Sequence, residues 1–123
     1  MQSIIVYGIP NCSTCKKALK WLEENNINYE FVNTKEFPPS KNMISQWVKS
    51  LGRKSMINTS GFSYRALGEE KKTWTDEQWI NALTQDAMLL KRPLFVKNEE
   101  AVLVGFRAND TVKREKLSWT TSP

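Results

Sequence analysis

The opening of the chain constrains its fold most. Ser3-Ile4-Ile5-Val6-Tyr7 is rich in β-branched residues and is ended by Gly8-Ile9-Pro10, so it reads as a short buried strand. From Cys12 to about Asn25 the period becomes helical. Cys15, Leu19 and Leu22, with Ala18, fall on one face, Asn11 is placed to cap the segment, and Asn25-Asn26 ends it. Ile27, Tyr29 and Phe31 then alternate with polar residues, as in a second strand. Two neighbouring strands joined by a helix run parallel, with the helix crossing over one face of the sheet.

The rest of the pattern extends this β-α-β start. Phe37-Pro38-Pro39 breaks the second strand, and Ser40 caps a stripe of Met43, Ile44, Trp47, Val48 and Leu51 that stops at Gly52. Asn58-Thr59-Ser60-Gly61 is a turn, followed by a short helical piece around Tyr64–Leu67. Thr75-Asp76-Glu77-Gln78 forms a capping box ahead of Trp79, Ile80 and Leu83. Leu94-Phe95-Val96 and Ala101–Val104 flank the turn Lys97–Glu100 as two further strands, and a last helix is expected near Asn109-Asp110. The order is βαβ, a helical insert over about residues 40–90, then ββα. This predicts one α/β domain over residues 1–123 with a mixed four-stranded sheet, the thioredoxin-like plan.

Cys12-Ser13-Thr14-Cys15 lies where the first strand gives way to the first helix. A spacing of three places both side chains on one side of the first helical turn, within reach of disulfide geometry. The unpaired amides of that turn, and the helix dipole, favour a thiolate at Cys12. Cys12 is therefore the candidate nucleophile, exposed at the helix tip. Cys15, one turn deeper on the apolar stripe, is the candidate resolving thiol. The alternatives are a small core residue beside an incidental surface thiol, or a zinc ion shared between two chains.

Composition narrows the chemistry. The chain contains no histidine, which removes Ser-His-Asp and Cys-His pairs and every His-based metal site. Two cysteines do not complete a tetrahedral zinc site within one chain, and neither metal nor cofactor is expected. Eighteen basic against thirteen acidic side chains give a net charge of +5, without the clustered runs typical of a nucleic-acid surface. The first acid is Glu23, after Lys16, Lys17 and Lys20, so the opening helix carries a local positive field that fits either a solvated face or the stabilisation of a thiolate or oxyanion. No apolar run approaches the roughly 18 residues of a membrane span, and no secretory leader opens the chain. A cytoplasmic monomer is the default expectation.

In a thioredoxin-like fold a cis-proline precedes the third strand and faces the dithiol. Pro93 has that position, which would put Arg92 beside Cys12. Asn11, Ser13, Thr14, Pro93 and Arg107 are candidate substrate-binding residues; Arg65 is a weaker one.

The run from Tyr7 to Ala18 resembles the opening of the arsenate reductase (ArsC) family. Pro38-Pro39-Ser40, Ile57–Gly61, Tyr64–Gly68, Leu89–Leu94 and Val104-Gly105-Phe106 follow in the family's order, covering about residues 3–117. The nearest branch looks like the Spx/MgsR group and its reductase-like relatives. The resemblance implies a thioredoxin-like core with a helical insert and splits the expected function. Glutathione-dependent arsenate reductases use a cysteine at the Cys12 position with three arginines around the oxyanion. Arg92 matches one of these arginines, while the others fall at Asn58 and near Gly105. Charge-assisted contacts of this kind are worth roughly 1.5–3 kcal/mol each, so two missing ones weaken arsenate binding by several powers of ten. Spx-like proteins use the dithiol as an oxidation switch and bind the C-terminal domain of the RNA polymerase α-subunit. Gly52 falls at their contact glycine, which a helix C-cap explains equally well, and Ser60 falls where they carry an arginine. The resemblance thus implies a thiol–disulfide oxidoreductase served by a small thiol or thioredoxin-type reductant and acting on an oxyanion or mixed disulfide. Its alternatives are a redox-sensing regulator that binds RNA polymerase, or a scaffold with a vestigial dithiol.

Overall fold

A computed structural model describes residues 3–106 and 116–117. Strand β1 (Ile4–Gly8) is followed by helix α1 (Ser13–Glu24) and strand β2 (Tyr29–Asn33). The two strands pair in parallel, from Ile4↔Tyr29 to Gly8↔Asn33. After the intervening helices, β3 (Leu94–Lys97) pairs antiparallel to β1, and β4 (Glu100–Val104) antiparallel to β3. The strand order is β2-β1-β3-β4, a mixed four-stranded sheet with helices in the expected thioredoxin-like arrangement.

Period-two alternation splits the core between the faces of the sheet. Ile4, Val6 and Phe95 turn to the α1 side, packing with Ala18, Leu22 and Leu117. Tyr7, Leu94 and Val96 turn to the other side, with Ile44, Trp47, Leu83 and Leu89 from the helical segment. The expected last helix near Asn109-Asp110 lies outside the described residues, as does Arg107.

Between β2 and β3 the chain runs through α2 (Lys41–Leu51), α3 (Arg53–Met56), α4 (Phe62–Ala66), a 3-10 turn (Glu69–Thr73), α5 (Asp76–Gln85) and a second 3-10 turn (Ala87–Leu89). Local chemistry sets these limits. The Ser40 hydroxyl accepts the Met43 N–H at 3.2 Å to start α2. Gly52 ends α2 at a φ of 80°, a conformation that favours glycine, and its N–H returns to the Val48 carbonyl. Thr75 and Gln78 close a reciprocal capping box at the start of α5.

The segment returns to the sheet through backbone bonds. The Asn58 N–H donates to the Leu89 carbonyl at 2.8 Å, and the Lys91 N–H to the Met56 carbonyl at 2.7 Å. These contacts deliver the cis Arg92-Pro93 peptide to the start of β3. Thr75→Ala, which removes the α5 cap, should cost about 1 kcal/mol, read as a lowered urea midpoint with an unchanged m-value.

Candidate active site at the dithiol turn

Helix α1 begins at Ser13, so its N-cap is Cys12, held in extended conformation. The cap expected of Asn11 is therefore made by the next residue. The Cys12 Sγ accepts the N–H of Cys15 at 3.4 Å, doing with sulfur what a serine or aspartate oxygen does at other helix starts. Asn11 and Ser13 are exposed and Thr14 half-buried, while the Thr14 N–H faces the Cys12 sulfur. Both thiols are free; Cys12 is partly exposed and Cys15 is 1% exposed.

The two sulfurs are pushed in opposite directions. Burial is the largest influence on Cys12 and acts to raise its pKa. It is outweighed by the Cys15 N–H, the Cys15 thiol, the Thr14 N–H and the Arg92 charge, which leave Cys12 below the ordinary thiol value. Cys15 is driven up to about 11 by burial, by its own hydrogen bond to Cys12 and by the charge on Cys12. The Ile9 N–H and Arg92 pull the other way. The arrangement pairs a more acidic thiol at the helix tip with a less acidic, buried one behind it.

Arg92 is the charged residue that acts on both sulfurs. One of its terminal nitrogens donates to the Met88 and Leu90 carbonyls at 3.4 and 3.3 Å, and its buried Nε has no partner. Lys16 and Lys17 are exposed, in line with the solvated-face alternative, and the charge that lowers the Cys12 pKa is Arg92. Pro93 is buried, and its carbonyl accepts the Gly105 N–H at 2.7 Å. The remaining sequence candidates are placed elsewhere. Asn58 belongs to the turn that Gly61 closes, and Arg65 donates to the Ser60 carbonyl on the surface. Gly105 has a φ of 81° and lies against the Lys91 side chain. Among the described residues no group of three or more metal-ligating side chains occurs.

Two residues complete the site without standing out in the sequence. A Cβ placed on Gly8 would meet the Cys15 Sγ at 2.7 Å, so the absent side chain is the space that holds the buried sulfur. Thr34 is buried, and both its N–H and its hydroxyl donate to the Gly8 carbonyl, at 2.9 and 3.3 Å. In sequence, Gly8-Ile9 reads as a strand terminator and Thr34 as one polar residue in a loop. A polar residue directly after the end of a strand is the available signal.

Gly8→Ala should cost about 1–3 kcal/mol by overpacking against the sulfur. The same change in a Cys15→Ala background should cost clearly less, as measured by a double-mutant cycle of denaturation midpoints. The thiols also set a pH dependence. Cys15 has a raised folded pKa, so the stability it contributes is complete below its unfolded value and is lost as pH rises toward about 11. Cys12, with a lowered pKa, contributes stability above its unfolded value and loses it as pH falls through its folded value. Reduced wild type should therefore lose stability relative to Cys15→Ala between about pH 8.5 and 11, in paired denaturation curves.

The sequence profile of the ArsC family matches residues 7–113. Protein YusI of Bacillus subtilis is 38% identical over 109 residues, covering 85% of this chain and 92% of its own. The global transcriptional regulator Spx of Lactiplantibacillus plantarum is 26% identical over 90% of this chain and 84% of its own, and an Escherichia coli arsenate reductase 26% over 78% and 70%. Among solved structures, that of a possible arsenate reductase from Streptococcus mutans superposes with a TM-score of 0.79 at 36% identity, covering 88% of this chain and 94% of that one. With the dithiol turn at the head of α1 and this match over most of its length, the chain belongs to the ArsC family.

Proposed function

We propose that the protein is a thiol–disulfide oxidoreductase of the arsenate reductase-like kind, with Cys12 as nucleophile and Cys15 as resolving thiol. The observation that carries this reading is the position of the Cys12 sulfur. It is the N-cap acceptor of α1, partly exposed, with a buried thiol directly behind it. The Cys12 thiolate attacks one sulfur of a disulfide, the S–S bond breaks, and the other sulfur leaves as a thiolate. Cys12 then carries no negative charge, so one of the influences that hold the proton on Cys15 disappears. Cys15 gives up its proton and attacks the Cys12 sulfur, and the substrate fragment leaves as a thiol. The substrate gains two electrons, and the protein is left with a Cys12–Cys15 disulfide. A small thiol or a thioredoxin-type protein reduces that disulfide in turn.

Arg92 acts on the Cys12 sulfur from the cis peptide, and its guanidinium charge is the one we assign to an anionic group on the substrate. Thr14, whose N–H acts on the Cys12 sulfur, is assigned to substrate binding together with Asn11, Ser13 and Pro93. Arg107 keeps the same assignment from sequence.

A second reading is favoured by the relatives named Spx: a redox-sensing regulator that uses the same dithiol and binds the C-terminal domain of the RNA polymerase α-subunit. Gly52, the position expected to make that contact, is the C-cap of α2 with open space around it.

Cys12→Ser should abolish alkylation by iodoacetamide at neutral pH. Cys15→Ser should leave a reactive thiol that accumulates mixed disulfides. Equal alkylation rates in the two variants would refute the assigned roles. Turnover of arsenate with a thiol donor, run beside a pull-down of the polymerase α-domain, separates the two readings. Turnover without binding supports the reductase, and binding without turnover supports the regulator.

A further inference from the structure

The cations around the dithiol are distributed in a way that the exchange chemistry does not explain. In α1, Lys16, Lys17 and Lys20 occupy the first two turns, while Glu23 and Glu24 close the helix. No acid lies in the first turn and no base in the last. This is the reverse of what the helix dipole rewards. Those lysines are exposed, and the charge that lowers the Cys12 pKa is Arg92, so stabilising the thiolate does not account for them either.

The topology adds more cations to the same end of the sheet. Gly8 pairs with Asn33, so Lys35 emerges beside the end of β1 where the dithiol turn begins. Tyr7 pairs with Leu94, which brings Lys91 and Arg92 to that end as well. Among the described residues, Lys16, Lys17, Lys35 and Lys91 are exposed and make no ion pair. The pairs Lys41–Glu77, Arg53–Asp76 and Lys72–Glu69 belong to the helical segment instead. Two acids on the adjoining segments are held by local hydrogen bonds. Glu36 accepts from the Asn33 amide, and Asp86 caps the Met88 N–H. Phe37, 66% exposed, extends this face with an apolar surface.

We propose that this face docks an acidic polypeptide whose cysteine is the exchange partner of Cys12. The inference rests on the thiol-exchange reading above and adds the class of partner to it. Unpaired cations on three separate chain segments, next to an exposed phenylalanine, span more surface than a small anion covers. A peptide with carboxylates flanking its cysteine matches them along its length.

The test uses Cys15→Ser protein, in which the mixed disulfide accumulates. Two peptides are compared, each with one cysteine activated as a thiopyridyl disulfide, one flanked by glutamates and one by lysines. Cys12 attacks the peptide sulfur and releases pyridinethione, which is followed by absorbance. The glutamate peptide should react about tenfold faster at low salt, and the advantage should vanish as the screening length falls from about 30 Å to about 3 Å. Lys16→Gln, Lys17→Gln, Lys35→Gln and Lys91→Gln combined should remove the preference while leaving the iodoacetamide rate unchanged and the melting temperature no lower. Rates independent of peptide charge, or faster with the lysine peptide, would overturn the proposal while leaving the dithiol chemistry intact. Equal acceleration of dithiobis(nitrobenzoate), a small dianionic disulfide, would also overturn it by making the partner a small anion. Failure of every reagent, iodoacetamide included, would overturn the underlying reading instead.

Discussion

Every helix start has amide groups without partners, and here a sulfur atom supplies the acceptor. That interaction organises the rest of the site. It fixes the Cys12 side chain over the first turn of α1, aims further N–H groups at the same sulfur, and holds its pKa below the ordinary thiol range against the opposing effect of burial. It also makes the two cysteines unequal. The residue three positions on is carried into the core, where it keeps its proton and directs it at the first sulfur. One spacing, at one junction, yields two thiols of different acidity.

The helical segment between β2 and β3 serves this junction from the other side. Backbone bonds from Met56 and Asn58 to Lys91 and Leu89 anchor the chain just before the cis Arg92-Pro93 peptide. The carbonyls of Met88 and Leu90 then hold the Arg92 guanidinium in place. The cation that acts on both thiols is thus oriented by a segment remote from them in sequence. In the proposed exchange this division separates binding of the thiolate's counter-charge from generation of the thiolate.

The elements whose signals are local are legible in the sequence. The β-α-β start, the Ser40 cap, the Gly52 terminus and the Thr75 capping box depend on neighbours within a few residues, and the structure has each of them. Pro93 is placed by its position ahead of a strand, and its cis bond follows from the fold. What escapes depends on contacts across the sheet or on a boundary. Asn11 and Cys12 are adjacent, and oxygen is the more familiar cap acceptor, so the expected helix cap is off by one residue. Lys16 and Lys17 lie close to Cys12 in sequence, yet the helix turns them to solvent. The space at Gly8 is visible only once Cys15 is packed against it.

Thr34 extends that last point. Its two donors converge on the Gly8 carbonyl, and the same peptide unit presents the Ile9 N–H to the Cys15 sulfur. Because side chains alternate along a strand, a one-step slip between β1 and β2 would carry Thr34 away from that carbonyl and turn its hydroxyl toward the opposite layer. The register of two parallel strands and the orientation of the N–H that meets the buried sulfur thus meet in a single peptide unit.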